Sequence, residues 1–495
     1  MPEATFERML KTFPQLRDIP SWHRMQRRVS LLSGITPVLY DCCVSSCICY
    51  AGRYKDLEDC PNPKCGEPRW KSDSKTPRKS FSYLPFLPRL QLLSANLRSA
   101  KAMQYRESQH TRDRSDGIIS DVFDGAHYRK LIGEKVSVDG QTFNHTYFQD
   151  ARDIALGFGT DGFAPFRRRK LTAWPLLLFN YNLPPTNRFK KRHVIRVAVI
   201  PGPRKPWDCD SFLVPMVEEF VKLAQGVQAF DGIMRSTFVL RGYLLLIFGD
   251  IPAVSMLMRM KGHNGVSPCR LCIIVGVKDP GAKGNTLYVP LRRPAGLGPD
   301  YAAESLPLRT PDEFQRRAAE VQFAHTATKS KELAVKHGIK GIALLSCLGS
   351  LSFPRSTGFE FMHLAFENTI PNLVLFWTGR YKELDSGQKY VIPAAIWREI
   401  GAATVKSRST IPSCFGIGTP DPSEDYGSFT AEAWSMWCFS VGPVVLRGRF
   451  SSDSYYKHFC SLVRLFRMCL QLEISVEEVQ ELRVGFQKWV KDYEW

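Results

Sequence analysis

The sequence predicts an α/β protein: a mixed sheet with flanking helices, interrupted by a mostly helical, cysteine-bearing insertion and preceded by a small cysteine-rich module. Three observations carry this. Apolar runs of strand length alternate with turn residues between positions 152 and 250. Helical periodicity dominates from about residue 311 to the end. Cysteines cluster near residues 43–65 and recur as Cys269-x2-Cys272.

Residues 1–40 read as an amphipathic, Arg-bearing lead-in. Met1–Arg28 mixes charged residues throughout and lacks the apolar core of a secretory signal, and no apolar stretch approaches the roughly 18 residues needed to span a bilayer. No membrane partner is expected, and the 14 cysteines are better zinc ligands or buried thiols than a disulfide framework. Residues 41–70 hold the first group, Cys43-x3-Cys47 and Cys60-x4-Cys65. Two close pairs joined by a short loop fit one tetrahedral structural Zn²⁺, as in a zinc ribbon. Cys42 and Cys49 remain as spare thiols. Residues 71–116 read as a basic linker with helical parts, able to lie along phosphates.

Compact α/β patterning begins near residue 117 and runs to about 260. Arg152–Gly157 reads as a strand entering the turn Gly159-Thr160-Asp161-Gly162. Ala173–Tyr181 and His193–Ile200 are the second and third strands, stopped by Pro184-Pro185 and by Pro201-Gly202-Pro203. Ser211–Gly226 has helical spacing, and Ser236–Phe248 is a fourth strand ended by Gly249-Asp250. Three strands, a helix and a fourth strand are how an RNase H-like fold begins. In that fold one carboxylate sits on the first strand and another at the end of the fourth, which singles out Asp161 and Asp250. Taken singly, Asp161 could merely shape its turn and Asp250 could merely cap a helix.

The net charge of +19 points to a polyanionic partner. Arg167, Arg168, Arg169 and Lys170, close behind Asp161, and Lys190, Lys191 and Arg192 are candidate phosphate contacts. Residues 261–425 form the expected insertion, in which Cys269 and Cys272 need further ligands to hold zinc; His363 is the candidate. A core histidine and an unmetallated CxxC are the bland alternatives. Residues 426–495 close the chain with helices.

Five strings together resemble the CACTA (En/Spm-type) transposases, particularly those of fungal genomes. They are Tyr40-Asp41-Cys42-Cys43-Val44-Ser45-Ser46-Cys47 with Cys60-Pro61; Gly159-Thr160-Asp161-Gly162-Phe163-Ala164-Pro165-Phe166; Phe248-Gly249-Asp250-Ile251-Pro252-Ala253 with Cys269-Arg270-Leu271-Cys272; Phe361-Met362-His363-Leu364 with Glu367-Asn368; and Thr430-Ala431-Glu432-Ala433-Trp434. The resemblance runs from about residue 40 to the end. It implies a cut-and-paste DNA transposase with a DDE/D acidic triad of Asp161, Asp250 and a third acid, binding Mg²⁺ or Mn²⁺. The third acid is Glu432 or, as the rival, Glu360. It implies Cys269, Cys272 and His363 as zinc ligands of the insertion. DNA, both transposon terminal repeats and target, would be the partner, in the nucleus, with a homodimer or larger synaptic complex. Members of the family usually continue beyond this C-terminus, so a truncated or inactive zinc- and DNA-binding derivative stays open. So does a zinc-ribbon module fused to an unrelated α/β domain.

Overall fold

The computed structural model describes residues 3–494 apart from 17, 73, 166–170, 279–286, 383–386 and 417. The chain divides into two compact units. One comprises Met1–Thr111, Arg129–Ile247 and Ala343–Ser352; the other comprises Arg112–Tyr128, Phe248–Ile342 and Phe353–Trp495.

The first unit is built on a six-stranded sheet. In chain order its strands are β1 (Val38–Asp41), β2 (Ser80–Tyr83), β3 (Ile154–Thr160), β4 (Ala173–Asn180), β5 (Ile195–Pro201) and β6 (Gly242–Phe248). Their order across the sheet is β1-β2-β5-β4-β3-β6. β3, β4 and β5 form an antiparallel meander, with Thr160 opposite Leu176 and Pro201 opposite Ala173. The last residues of β3 and β5 therefore lie at the same end of the sheet. The amide of Ile154, where β3 begins, donates to the carbonyl of Arg241, just before β6 begins. Start lies beside start, so β3 and β6 run parallel.

Burial explains why these segments are strands. β3 is buried at every position, as a central strand covered on both faces should be, whereas β4 alternates buried and half-buried residues. Helix α1 (Asp210–Gln225) buries Phe212, Leu213, Met216, Val217, Phe220 and Leu223. Its Phe212 ring meets Phe81 of β2 edge-on at 5.2 Å, and Phe220 meets Phe86 at 4.8 Å.

Two expectations need correcting. The run read as one strand from Ser236 to Phe248 is two elements. Ser236–Leu240 pairs with Val227–Asp231 in a hairpin, and only Gly242–Phe248 joins the large sheet. The hairpin forms because Asp231 Oδ1 accepts the amides of Ile233 and Met234 and closes the turn. The basic stretch 71–116, read as a linker with helical parts, does carry helices but also contributes a strand to the large sheet. It supplies β2 and the helices Leu87–Ala95, Leu97–Ala102 and Tyr105–His110. Several of its cations are structural: Arg89 donates to the carbonyls of Leu84, Pro85 and Arg196, and buried Arg106 donates to those of Asp150 and Asp153.

The second unit is mainly helical. One core gathers Phe366, Ile370, Val374, Trp377, Trp434, Trp437, Phe459 and Phe466. The apolar segment expected as one helix over Met362–Trp377 is π-helical from Met362 to Thr369 and α-helical from Ile370 to Trp377. Asn368 and Thr369 donate side-chain hydrogen bonds to the carbonyls of His363 and Leu364, five residues back, which suits the wider π turn. No helix among the described residues is long and apolar enough to cross a membrane.

Candidate functional site

The cysteine module shows how local backbone sets a ligand group. A tight turn, with Ser46 at φ 59°, brings Cys47 back toward Cys43. The amide of Ser46 donates to the Cys43 carbonyl at 2.7 Å and that of Cys43 to the Ile48 carbonyl at 3.0 Å. A second turn, in which Cys65 and Gly66 donate to the Asn62 carbonyl, presents Cys60 and Cys65. The four ligand atoms lie within 4.8 Å of one another, and the Sγ atoms of Cys43 and Cys65 are 3.6 Å apart. A tetrahedral zinc with Zn–S bonds of about 2.3 Å requires S–S edges of about 3.8 Å, so the group fits. Burial pushes the Cys47 thiol up to about 11 and the Cys60 thiol up as well, so without a cation these thiols stay protonated at neutral pH. The side-chain Nδ2 of Asn62 donates to Cys47 Sγ at 3.1 Å and would support a thiolate there. This buried four-cysteine group can hold a structural zinc.

The module is fastened to the end of the sheet where β5 stops. The amides of Trp207 and Asp208 both donate to the Cys47 carbonyl at 3.0 Å. The Ser46 hydroxyl donates to the carbonyls of Pro201 and Gly202. Lys79 Nζ donates to Val44, Ser46 and Gly202, and the Cys49 amide donates to Ser211 Oγ at 2.9 Å. Asp208 is paired with Arg53 at 2.6 Å and accepts the Tyr54 hydroxyl at 2.8 Å.

Asp161 immediately follows β3 at that same end and is exposed. Its Oδ1 accepts the Gly162 amide at 2.6 Å. No cationic partner holds it among the described residues. Arg167, Arg168, Arg169 and Lys170 lie outside the described residues. Lys190, Lys191 and Arg192 are exposed, but they precede β5 and so occupy the opposite end of the sheet from Asp161. The pairing direction, invisible in a run of basic letters, decides this.

In the second unit, Asp250 caps helix α2 (Ile251–Leu257), its Oδ1 accepting the Ala253 amide at 2.5 Å. His363 is flanked by carboxylates, with Glu360 Oε2 at 2.5 Å from Nδ1 and Glu367 Oε2 at 3.5 Å from Nε2. Burial alone would lower the imidazole pKa. The hydrogen bond to Glu360 and the charges of Glu360, Glu367 and Asp250 outweigh it and raise it. Asp250, Glu360, His363 and Glu367 therefore share one electrostatic neighbourhood. Sequence reasoning had not given Glu367 a role, although it lies four residues after His363, one ordinary helical turn. Glu432 is exposed in the first turn of α3 (Ala431–Met436), which Thr430 caps and which packs against the π-helical segment.

Cys269 and Cys272 are joined in a tight turn in which Cys269 Sγ accepts the amides of Leu271 and Cys272 at 3.4 and 3.3 Å. The Cys272 thiol, these amides and the Arg309 charge outweigh burial and lower the Cys269 thiol to about 6. Among the described residues the ligand groups of three or more do not include Cys269, Cys272 and His363; Cys43, Cys47, Cys60 and Cys65 make the group that is found.

Residues 134–284 match the family model described as transposase family tnp2. The match is to a transposase. It spans β3 to β6 and takes in Asp161, Asp250, Cys269 and Cys272. A transposase of this kind acts on DNA, which agrees with the basic charge. No curated protein matches the chain.

Proposed function

We propose that this chain is a cut-and-paste DNA transposase of the CACTA type, working in the nucleus with an RNase H-like DDE/D core. The observation that carries the reading is the sheet. β3 and β6 are parallel neighbours, each is followed within two residues by an aspartate, and both lie in the transposase-matched segment. Asp161 and Asp250 would supply oxygen ligands to Mg²⁺ or Mn²⁺. Asp161 suits this, because its second carboxylate oxygen has no partner among the described residues. Paired divalent ions about 4 Å apart stabilise attacking and leaving oxygens in phosphoryl transfer. Water would attack the phosphorus at the element's end and release a 3′-oxygen. That 3′-hydroxyl would then attack a target phosphodiester, displacing a 3′-oxygen of the target. Glu432 is the first choice for third acid. The shared environment of Glu360 and Asp250 around His363 strengthens Glu360 as the rival.

The test is Mn²⁺-dependent nicking of DNA carrying the element's ends. Asp161→Asn and Asp250→Asn each lower nicking by at least about a thousandfold while duplex binding stays within about twofold. Undiminished nicking in Asp161→Asn would falsify the reading. Glu432→Gln and Glu360→Gln, compared side by side, identify the third acid by which one loses activity.

A second reading, a zinc- and DNA-binding derivative without catalysis, draws support from the Asp250 carboxylate, which already serves as a helix cap. In that case no substitution at Asp161 changes any activity.

A further inference from the structure

The loop between β5 and α1 was read in the sequence only as a strand stop, yet it carries Arg204, Lys205 and Trp207 in succession around Pro206. All three are exposed, Trp207 by 51%. A large aromatic ring left half exposed on a short loop gains only part of the burial that a core position would give it. Its backbone, by contrast, is fixed, because the amides of Trp207 and Asp208 are both held by the Cys47 carbonyl. The nearest acid, Asp208, is already paired with Arg53 and Tyr54. Neither Arg204 nor Lys205 has an acidic partner among the described residues. The result is a rigidly mounted patch with two unneutralised cations and an exposed indole.

Its location is defined by close contacts within the first unit. A Cβ at Gly202 would lie 2.3 Å from the Thr172 carbonyl oxygen, so the loop leaves the sheet directly against the start of β4. Lys205 Nζ lies 5.6 Å over the ring of Trp174. That ring also meets the turn after β3, where a Cβ at Gly162 would lie 2.5 Å from it. Trp174 thus links Lys205 to Gly162, the residue after Asp161. Phe163, one residue further on, is a second exposed ring at 48%. Cations that neutralise phosphates and rings that accept unpaired bases are the two parts of a single-strand binding surface.

We propose that the Arg204–Trp207 loop, mounted on the zinc module, binds unpaired nucleotides of DNA beside Asp161, with Trp207 stacking on a base and Arg204 and Lys205 on the flanking phosphates. The inference rests on the transposase reading for its choice of DNA as ligand. It assigns the zinc module a positioning task in addition to a folding one.

The test uses the full chain with zinc bound, without Mn²⁺, and two labelled DNAs: a blunt duplex and the same duplex with a four-nucleotide 3′ overhang. Trp207→Ala weakens binding of the overhang DNA about tenfold more than binding of the blunt duplex, and Trp207→Phe restores most of the difference. Arg204→Gln with Lys205→Gln weakens both and lowers the slope of log affinity against log salt by about one to two. Zinc content and thermal midpoint establish that each variant is folded; Trp207→Gln replaces the alanine variant if the latter loses zinc. Equal affinities of folded Trp207→Ala or Trp207→Gln and wild type for the overhang DNA overturn the proposal, as does an equal loss on both DNAs. Nicking by Asp161→Asn is measured in parallel. If it persists, the transposase chemistry fails while the binding difference stands; if it is lost and Trp207 is silent, only the loop's role fails.

Discussion

The four cysteines between residues 43 and 65 meet around one point, whereas Cys269 and Cys272 meet no third ligand group among the described residues. The residue types are the same, and the CxxC has the tighter spacing. What differs is closure. In the first module two turns, each closed by its own backbone hydrogen bonds, face each other across about twenty residues. In the second, one turn stands alone and its intended partner, His363, is engaged by Glu360 and Glu367. Two turns that each fix themselves can complete a tetrahedron locally. One turn depends on an element nearly a hundred residues away.

The sharpest way to break this contrast is to count zinc. The purified chain is expected to bind one zinc tightly. Cys60→Ser loses it and unfolds the first unit's cysteine module, since structural zinc supplies on the order of 10 kcal/mol of folding free energy in small zinc domains. Cys269→Ser is expected to leave the zinc content at one. A stoichiometry of two by native mass spectrometry, falling to one in Cys269→Ser, would show that the second group closes after all.

Thiol reactivity probes the same contrast from the other side. Cys269, whose pKa is lowered chiefly by the hydrogen bond from the Cys272 thiol, is expected to alkylate faster than an ordinary half-buried thiol, while zinc would protect the first four. Peptide mapping after brief alkylation reads this out. Slow labelling of Cys269, with protection equal to that of Cys43, would point to a bound metal there.

A third expectation contrasts the two ends of β3. Asp161 lies exposed after the strand, but Asp153, just before it, is buried and raised to about 6, chiefly by desolvation. Its folded pKa lies above the unfolded value of about 3.9. Stability from this group is therefore fully present below that unfolded value and is lost as pH rises through about 6. Asp153→Asn should flatten this part of the stability profile and add on the order of 2 kcal/mol at pH 8, measured by urea unfolding at several pH values. An unchanged profile would place the titration elsewhere. The smallest expected effect is at Asp250. Asp250→Ala costs about 1 kcal/mol through the lost cap, and Asp250→Asn, also a good cap, almost nothing. Loss of nicking by the asparagine variant would thus be chemical rather than structural.

Much of the scaffold was legible. β4 and β5 announced themselves by apolar runs ended by prolines, and α1 by its apolar spacing, because burial on known faces imposes those periods. The first zinc group was legible for a related reason: its ligands lie close in sequence. The hairpin before β6 was overlooked because Ser236–Phe248 is mostly apolar and reads as one run, although Asp231-Gly232 at its turn and Gly242 after the break at Arg241 are turn residues in the letters. Glu367 did not stand out, because a glutamate four residues after a histidine is an ordinary neighbour on any helix face.

By itself, then, the sequence determined the strand meander, the helix that covers it, the cysteine module and the two aspartates that follow β3 and β6. Each of these depends on interactions within a few residues or on a simple burial period. Only the tertiary structure decided which ends of the strands coincide. That moved Lys190, Lys191 and Arg192 to the far end of the sheet and brought the Arg204–Trp207 loop to the Asp161 end. Pairing direction is set by contacts between distant segments, and charge and aromatic content along the chain carry no record of it.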